Sequence, residues 1–196
     1  MKKSAPALGL LVLALSGCAT ADPEAAAHDL FFARLTAYCG RAFEGRIASP
    51  PVEADAAFAG KRLVMHVRTC SENEIRIPFH VGDDRSRTWV VTKTGTGLRL
   101  KHDHRHADGS EDPLTQYGGD TTGPGSATRQ EFPADTYSRD MFVRRNSPQS
   151  VPNIWAMEVE PGRVFAYELR RPGRFFRVEF DLARPVALPP PPWGSS

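Results

Sequence analysis

The segment VFAYELRRPGRFFRVEFDL, residues 164–182, decides the fold class, because two alternating β-strand patterns flank one tight turn. If Pro172 and Gly173 form a two-residue loop, apolar side chains of the two strands face one another, and Glu168 lies opposite Arg177 on the other face. The apolar pairs in this register are Phe165 with Phe180, Tyr167 with Val178 and Leu169 with Phe176. The segment therefore predicts an antiparallel hairpin with one face in a hydrophobic core.

The same two-residue period recurs through most of the chain. Strand-like segments separated by turn residues occupy 41–48, 61–70, 74–82, 87–94, 98–106 and 153–162. We expect one or two further strands in the polar region 112–132, around Thr115–Tyr117 and Thr128–Phe132. This spacing predicts a mainly β fold, an antiparallel β-barrel or a strongly curved sheet, with an N-terminal helix and one inserted helix.

Two segments have a helical period instead. In 22–40, Asp22 can cap a helix at its start and Gly40 can end it. The second helix is predicted over 133–145, with Pro133 at its start. The apolar faces are Phe31, Leu35 and Tyr38 in the first helix, and Tyr137 and Met141 in the second. Each helix therefore has one face to pack against the strands.

The segment LRLKHDHRH, residues 98–106, has histidines at alternate positions. Alternation places Leu98, Leu100, His102, His104 and His106 on one face of a strand. If Gly95 and Thr96 form a two-residue hairpin loop, the preceding strand is its partner. The opposed pairs are then Val91 with Leu100, Trp89 with His102 and Arg87 with His104. The face thus changes from aliphatic to imidazole towards a strand end.

Three interpretations of this strand stay open: a metal site, the rim of a ligand cavity, or a solvated strand end. Zinc needs three or four converging ligands, and alternation turns both His66 and His80 away from the core. We therefore predict no metal and no cofactor. The candidate ligand-binding residues are Arg87, Trp89, Leu100, His102 and His104.

The N-terminus has a basic start, an apolar segment and then Leu15-Ser16-Gly17-Cys18. This combination resembles the signal peptide and lipobox of bacterial lipoproteins. The resemblance implies that 1–17 is a signal peptide, that the chain is cleaved before Cys18, and that Cys18 is acylated. Because Ala19 rather than Asp follows the cysteine, it also implies a Gram-negative outer membrane, with the protein anchored by lipid and facing the periplasm.

The remaining chain divides by composition. Residues 18–22 form a lipidated tether, and 23–184 are predicted to be a single mainly β domain. The segment 185–196 is rich in proline, and we expect an extended, disordered tail that cannot join a sheet.

Acylation of Cys18 leaves two cysteines, Cys39 and Cys70. In an oxidising periplasm such a pair favours a disulfide, although a reactive thiol or a thiolate ligand is the alternative. There is no CxxC motif, and neither cysteine has a histidine nearby at catalytic spacing. We therefore predict that Cys39 pairs with Cys70.

Charge gives little indication of a polyanionic partner. The 25 basic residues include Lys2 and Lys3, so the chain after the signal peptide has 23 basic and 23 acidic side chains. This balance argues against nucleic-acid binding. Six arginines do cluster late in the chain, either to meet anionic lipid or to pair with acids on the outer face of the sheet: Arg163, Arg170, Arg171, Arg174, Arg177 and Arg184.

The N-terminal helix followed by GRAFEG, residues 40–45, resembles the start of calycin-type barrels, which bind small ligands. The body of the chain resembles bacterial lipoproteins of unknown function. We expect a small-ligand-binding or envelope-interaction module; the alternative is a metal-dependent or acid–base enzyme using His102 and His104. An enzyme should bring together at least three of His66, His102, His104, Asp103 and Asp108, whereas a binding module should have a cavity lined by Trp89, Leu98 and Leu100.

We predict that Cys18 is the acylated first residue of the mature protein. Mass spectrometry of the N-terminal peptide should find the lipid on this residue, and Cys18→Ala should move the protein out of the membrane fraction. A mature N-terminus at another residue without lipid would contradict the prediction.

Overall fold

The computed structural model describes Met1 and residues 23–195. Cys18 and the rest of the predicted signal and tether lie outside the described residues. The described chain is mainly β, as predicted, and its antiparallel sheet is nearly closed into a barrel. In the described part of the chain, no helix is long and apolar enough to cross a membrane.

The described elements are two α-helices, two short 3-10 turns and eleven strands. The helices are α1 (Pro23–Thr36) and α2 (Thr136–Arg144), and the 3-10 turns are Glu53–Asp55 and Pro148–Ser150. The strands are β1 (Ala42–Ile47), β2 (Leu63–His66), β3 (Thr69–Cys70), β4 (Glu74–Val81), β5 (Asp84–Lys93), β6 (Leu98–His104), β7 (Tyr117–Asp120), β8 (Arg129–Pro133), β9 (Ile154–Glu160), β10 (Val164–Arg171) and β11 (Arg174–Val186). Their order across the sheet is β7-β6-β5-β4-β2-β1-β11-β10-β9-β8, and β3 pairs with β4.

Both predicted hairpin registers are confirmed. In β10 and β11, Phe165 lies opposite Phe180, and Glu168 lies opposite Arg177 on the outer face, where their side chains form an ion pair. In β5 and β6, Trp89 lies opposite His102. Local turn chemistry and strand alternation were sufficient to predict these pairs, because a two-residue loop determines the register.

Helix α1 closes one end of the barrel. The predicted apolar face is buried: Phe31 and Leu35 in α1 are fully buried, and Tyr38, in the turn that follows the helix, nearly so. The Tyr38 hydroxyl accepts a hydrogen bond from the amide of Gly162, in the turn between β9 and β10. His28 bonds to the Gly123 carbonyl, in the loop between β7 and β8. The barrel interior is therefore covered at the end where these turns lie.

The two ends of the sheet, β7 and β8, meet through glycines and the start of α2. The Ser138 hydroxyl accepts from the Gly118 amide at 2.7 Å and donates to the Gly118 carbonyl at 2.9 Å. A Cβ atom on Gly119 would lie only 1.8 Å from the Pro133 carbonyl oxygen. Only glycine permits this approach, so the sequence Tyr-Gly-Gly at 117–119 brings the ends of the sheet together.

This contact between β7, β8 and the start of α2 is called the seam below. Because of it, the second helix begins later than predicted. Pro133 is the last residue of β8, and α2 begins at Thr136, with Asp135 as its cap accepting from the Ser138 amide. The buried face comprises Ser138, Met141 and Phe142. Tyr137 is 48% exposed, because the helix turns Ser138 towards the seam.

The prediction for the C-terminal tail was also wrong in part. Pro185 and Val186 belong to β11 and pair with β1. This is possible because β11 pairs with β10 only as far as Asp181, which leaves that side of β11 open. Proline has no N–H group, so its nitrogen can face the open side without loss of a hydrogen bond. The following residues, 187–190, line a surface pocket together with His80, and the Trp193 amide donates to the Arg85 carbonyl. His80 does point away from the core, as predicted, but its side chain is buried.

Cys39 and Cys70 form the predicted pair, with Cα atoms 6.2 Å apart. Cys39 follows α1, and Cys70 ends β3. The disulfide therefore holds the helix that closes the barrel to the β3–β4 hairpin.

We predict that Cys39→Ser combined with Cys70→Ser lowers the free energy of unfolding by about 3–4 kcal/mol, the chain-entropy value for the closed loop. Urea unfolding followed by circular dichroism would measure the change. Reduction of the native protein should give the same shift and leave the double variant unaffected. A loss well below 1 kcal/mol would contradict a stabilising role.

Candidate functional site

A chamber of about 410 Å³ opens at the end of the barrel opposite α1. Its wall is contributed by strands β4, β5, β6, β7, β9, β10 and β11, together with α2 and the loops at that end. The aromatic lining residues are Phe58, Phe79, Trp89, Tyr117, Phe142, Trp155, Tyr167 and Phe176. The volume lies within the roughly 300–1,000 Å³ of small-molecule sites.

The chamber has flat aromatic walls. The Trp89 ring stacks between Phe79, at 4.9 Å, and Tyr167, at 4.5 Å, as measured between ring centroids. The His102 ring stacks on Tyr117 at 4.4 Å. These rings come from separate strands, so the walls exist only when the barrel is assembled.

His102 lies in the floor of the chamber, and both of its ring nitrogens are engaged. Its Nδ1 is 3.0 Å from the Tyr117 carbonyl oxygen, which can only accept, so Nδ1 carries the proton. Its Nε2 then accepts a hydrogen bond of 2.7 Å from the Tyr167 hydroxyl. The neutral imidazole therefore has a full set of partners.

His104 lies further towards the mouth on the same face of β6. Its Nε2 is 3.2 Å from the Tyr117 hydroxyl, and its ring lies opposite Arg87 in the register of β5 and β6. Burial raises the pKa of the Tyr117 and Tyr167 hydroxyls. Both tyrosines are consequently neutral hydrogen-bonding groups.

The two histidines are neutral as well. Burial, and then the neighbouring His104, lower the pKa of His102 to about 3. Burial, and then the charge of Arg87, lower the pKa of His104 to about 4. A general base works best with a pKa near the operating pH, and both histidines have a pKa well below neutral pH.

Three arginines line the mouth of the chamber. Arg87 pairs with Asp84 at 2.5 Å and lies over the Phe58 ring, whereas Arg174 pairs with the buried Asp55. Arg171 has different partners: its Nη1 donates to the Ser150 hydroxyl and to the Asn153 side-chain oxygen, each at 3.0 Å. Carboxylates therefore pair with two of the three arginines, and the mouth is rich in hydrogen-bond donors.

Four of the five predicted ligand-binding residues line the chamber: Arg87, Trp89, His102 and His104. Leu100 does not, which corrects the prediction; it is fully buried in the core, deeper along β6. Leu98 is likewise a core residue. Alternation identified the correct face but not the depth along the barrel at which the cavity begins.

The other histidines and acids that the sequence suggested for a site, which are His66, His106, Asp103 and Asp108, do not line the chamber. His106 is exposed in the loop after β6, because its amide bonds to the Ser110 carbonyl in a turn instead of continuing the strand face. Asp103 lies on the outer face, paired with Arg76 at 2.6 Å, and Asp108 caps an exposed turn. Of the proposed enzyme set, only His102 and His104 converge.

Sequence reasoning missed Tyr117, Trp155, Tyr167 and Arg171 as site residues. Tyr167 was assigned correctly to the inner face of β10, but its contact with His102 spans 65 residues of sequence. Within residues 23–195, no group of three or more His, Cys, Asp or Glu side chains is arranged to hold a metal ion.

Comparisons with protein-family models, curated proteins and solved structures found no match to this chain. The functional argument therefore rests on the geometry and chemistry of the chamber.

We predict that stability falls as pH falls from about 6 to about 4. A lowered pKa means that the folded protein keeps His102 neutral, whereas the unfolded chain takes up a proton below the ordinary histidine pKa of 6.5. Each such histidine makes the free energy of unfolding decrease by up to about 1.4 kcal/mol per pH unit. His102→Gln should reduce this slope by about that amount, as measured by urea unfolding at several pH values.

The control for this experiment is His106→Gln, which removes an exposed imidazole outside the chamber. It should unfold like the wild type at every pH. A His102→Gln slope equal to that of the wild type would show that His102 is protonated in the folded protein.

Proposed function

We propose that this chain is a binding protein that takes a small apolar molecule into the chamber, and that the lipid on Cys18 holds it at the outer membrane, facing the periplasm. The observation that carries the binding proposal is the chamber itself. It is open at one end of a barrel whose other end is closed by α1, and its walls are mainly aromatic.

The chemistry of the floor supports binding. His102, Tyr167 and Tyr117 form a neutral hydrogen-bonded chain with satisfied partners, so an apolar ligand can cover them without leaving a charge uncompensated. The stacked rings are fixed by the strands, which lowers the entropy lost on binding. A preformed apolar chamber with a few polar groups is typical of small-molecule sites.

We predict that phenylnaphthylamine, a neutral fluorescent probe, binds in the chamber with saturable, single-site behaviour. Ser147 lines the mouth, and a Trp side chain at this position would fill the opening. Ser147→Trp should therefore weaken probe binding at least about tenfold, as measured by fluorescence titration.

The matched control is Gln149→Trp, which adds the same side chain two residues away at an exposed position outside the lining. This variant should bind the probe like the wild type. Lack of saturable binding by the wild type, or equal loss in both variants, would contradict a ligand site in the chamber.

A further inference from the structure

We infer that the ligand of the chamber is a flat aromatic anion whose oxyanion is held by the Arg171 guanidinium. This inference rests on the binding function proposed above, and it names the class of ligand. It is based on two independent features of the chamber: an arginine without an acidic partner, and walls of stacked rings.

Arg171 differs from the other arginines around it. Five of the six arginines between residues 163 and 184 form ion pairs with acidic side chains. Among the described residues, the hydrogen bonds of the Arg171 side chain go only to the neutral oxygens of Ser150 and Asn153, through Nη1. In the described part of the chain, its Nε and Nη2 groups have no hydrogen-bond partner, and these donors suit a bidentate oxyanion.

The surroundings of Arg171 favour an anion. Burial, and then the charge of Arg174, lower the pKa of the Arg171 guanidinium. The two residues lie opposite each other at the turn between β10 and β11, and Asp55 neutralises Arg174 alone. An oxyanion at Arg171 would supply the missing negative charge.

Asp112 does not supply this charge. It is the one carboxylate among the described residues of the lining. Its Oδ1 accepts the Leu114 amide at 2.6 Å, and its Oδ2 is 3.9 Å from the His106 ring. Asp112 therefore has partners within its own loop, and no ion pair joins it to Arg171.

The aromatic side chains of the walls indicate which class of molecular body would carry the oxyanion. Trp89 with Tyr167 and His102 with Tyr117 present stacked, nearly parallel rings, at interplanar angles of 22° and 17°. The aliphatic side chains of the lining are only Leu114 and Leu169 within the described residues. Because the rings of each pair cover one another's faces, they contact a ligand mainly through ring edges. Edge-to-face contact is a favourable geometry between aromatic rings, so an aromatic body is favoured over an acyl chain.

The test compares two probes with one ring skeleton. Anilinonaphthalene sulfonate is phenylnaphthylamine with an added sulfonate, so the ratio of their dissociation constants isolates the anion. We expect the wild type to bind the sulfonate at least about tenfold more tightly than the neutral probe. Arg171→Met should remove this preference, so that the dissociation constants of the two probes lie within about twofold of each other. A circular dichroism spectrum like that of the wild type would show that the variant is folded.

Arg144→Met is the matched control, because Arg144 is an exposed arginine of α2 outside the lining. It should keep the preference for the sulfonate. Arg171→Lys, which keeps the charge but not the planar group, should keep part of it. Equal binding of the two probes by the wild type, or the same loss in Arg144→Met and Arg171→Met, would overturn the role of Arg171.

Competition experiments distinguish between anionic groups and between aromatic and aliphatic bodies of the ligand. Naphthoate and naphthyl phosphate should each displace the bound sulfonate, and the tighter competitor identifies carboxylate or phosphate as the preferred group. Dodecanoate should compete at least about tenfold less well than naphthoate; equal competition would overturn the aromatic part of the inference. Failure of both fluorescent probes to bind would instead contradict the proposed binding function itself.

Discussion

The close approach of Gly118 and Gly119 to the start of α2 is the contact on which the closed interior depends. An open sheet of this length would leave β7 and β8 as two unpaired edges, with their backbone groups exposed. The Ser138 hydroxyl bonds both polar backbone groups of Gly118, and Gly119 lies against the Pro133 carbonyl, where a Cβ atom has no room. Without this seam there would be no chamber.

Closure also explains the electrostatics of the chamber. His102 would be solvated and easily protonated on an open sheet, but in the barrel it is 2% exposed and bonded to the Tyr167 hydroxyl. Burial then favours the neutral imidazole because charge is costly in a low dielectric. The same enclosure that makes His102 a poor general base makes the floor suitable for an apolar ligand.

The charged side chains divide between the two faces of the sheet. On the outer face, Arg129, Glu158, Glu168 and Arg177 form a network across neighbouring strands, in which opposite charges are close and partly shielded from water. At the mouth of the chamber, Arg171 has no acidic partner among the residues that the structure describes. Similar arginines in one short segment thus have different surroundings, and the difference separates structural ion pairing from the proposed ligand contact.

The sequence by itself determined the strand registers, the shared face of His102 and His104, and the pairing of Cys39 with Cys70. The registers and the shared face follow from alternation and two-residue turns, which are local; the cysteine pairing follows from the number of cysteines and the expected compartment. Only the tertiary structure decided that Leu100 lies below the chamber, that the outward-pointing His80 is buried, and that Tyr167 bonds His102. Alternation assigns a side chain to a face, but its depth and its neighbours across the barrel depend on closure between segments far apart in sequence.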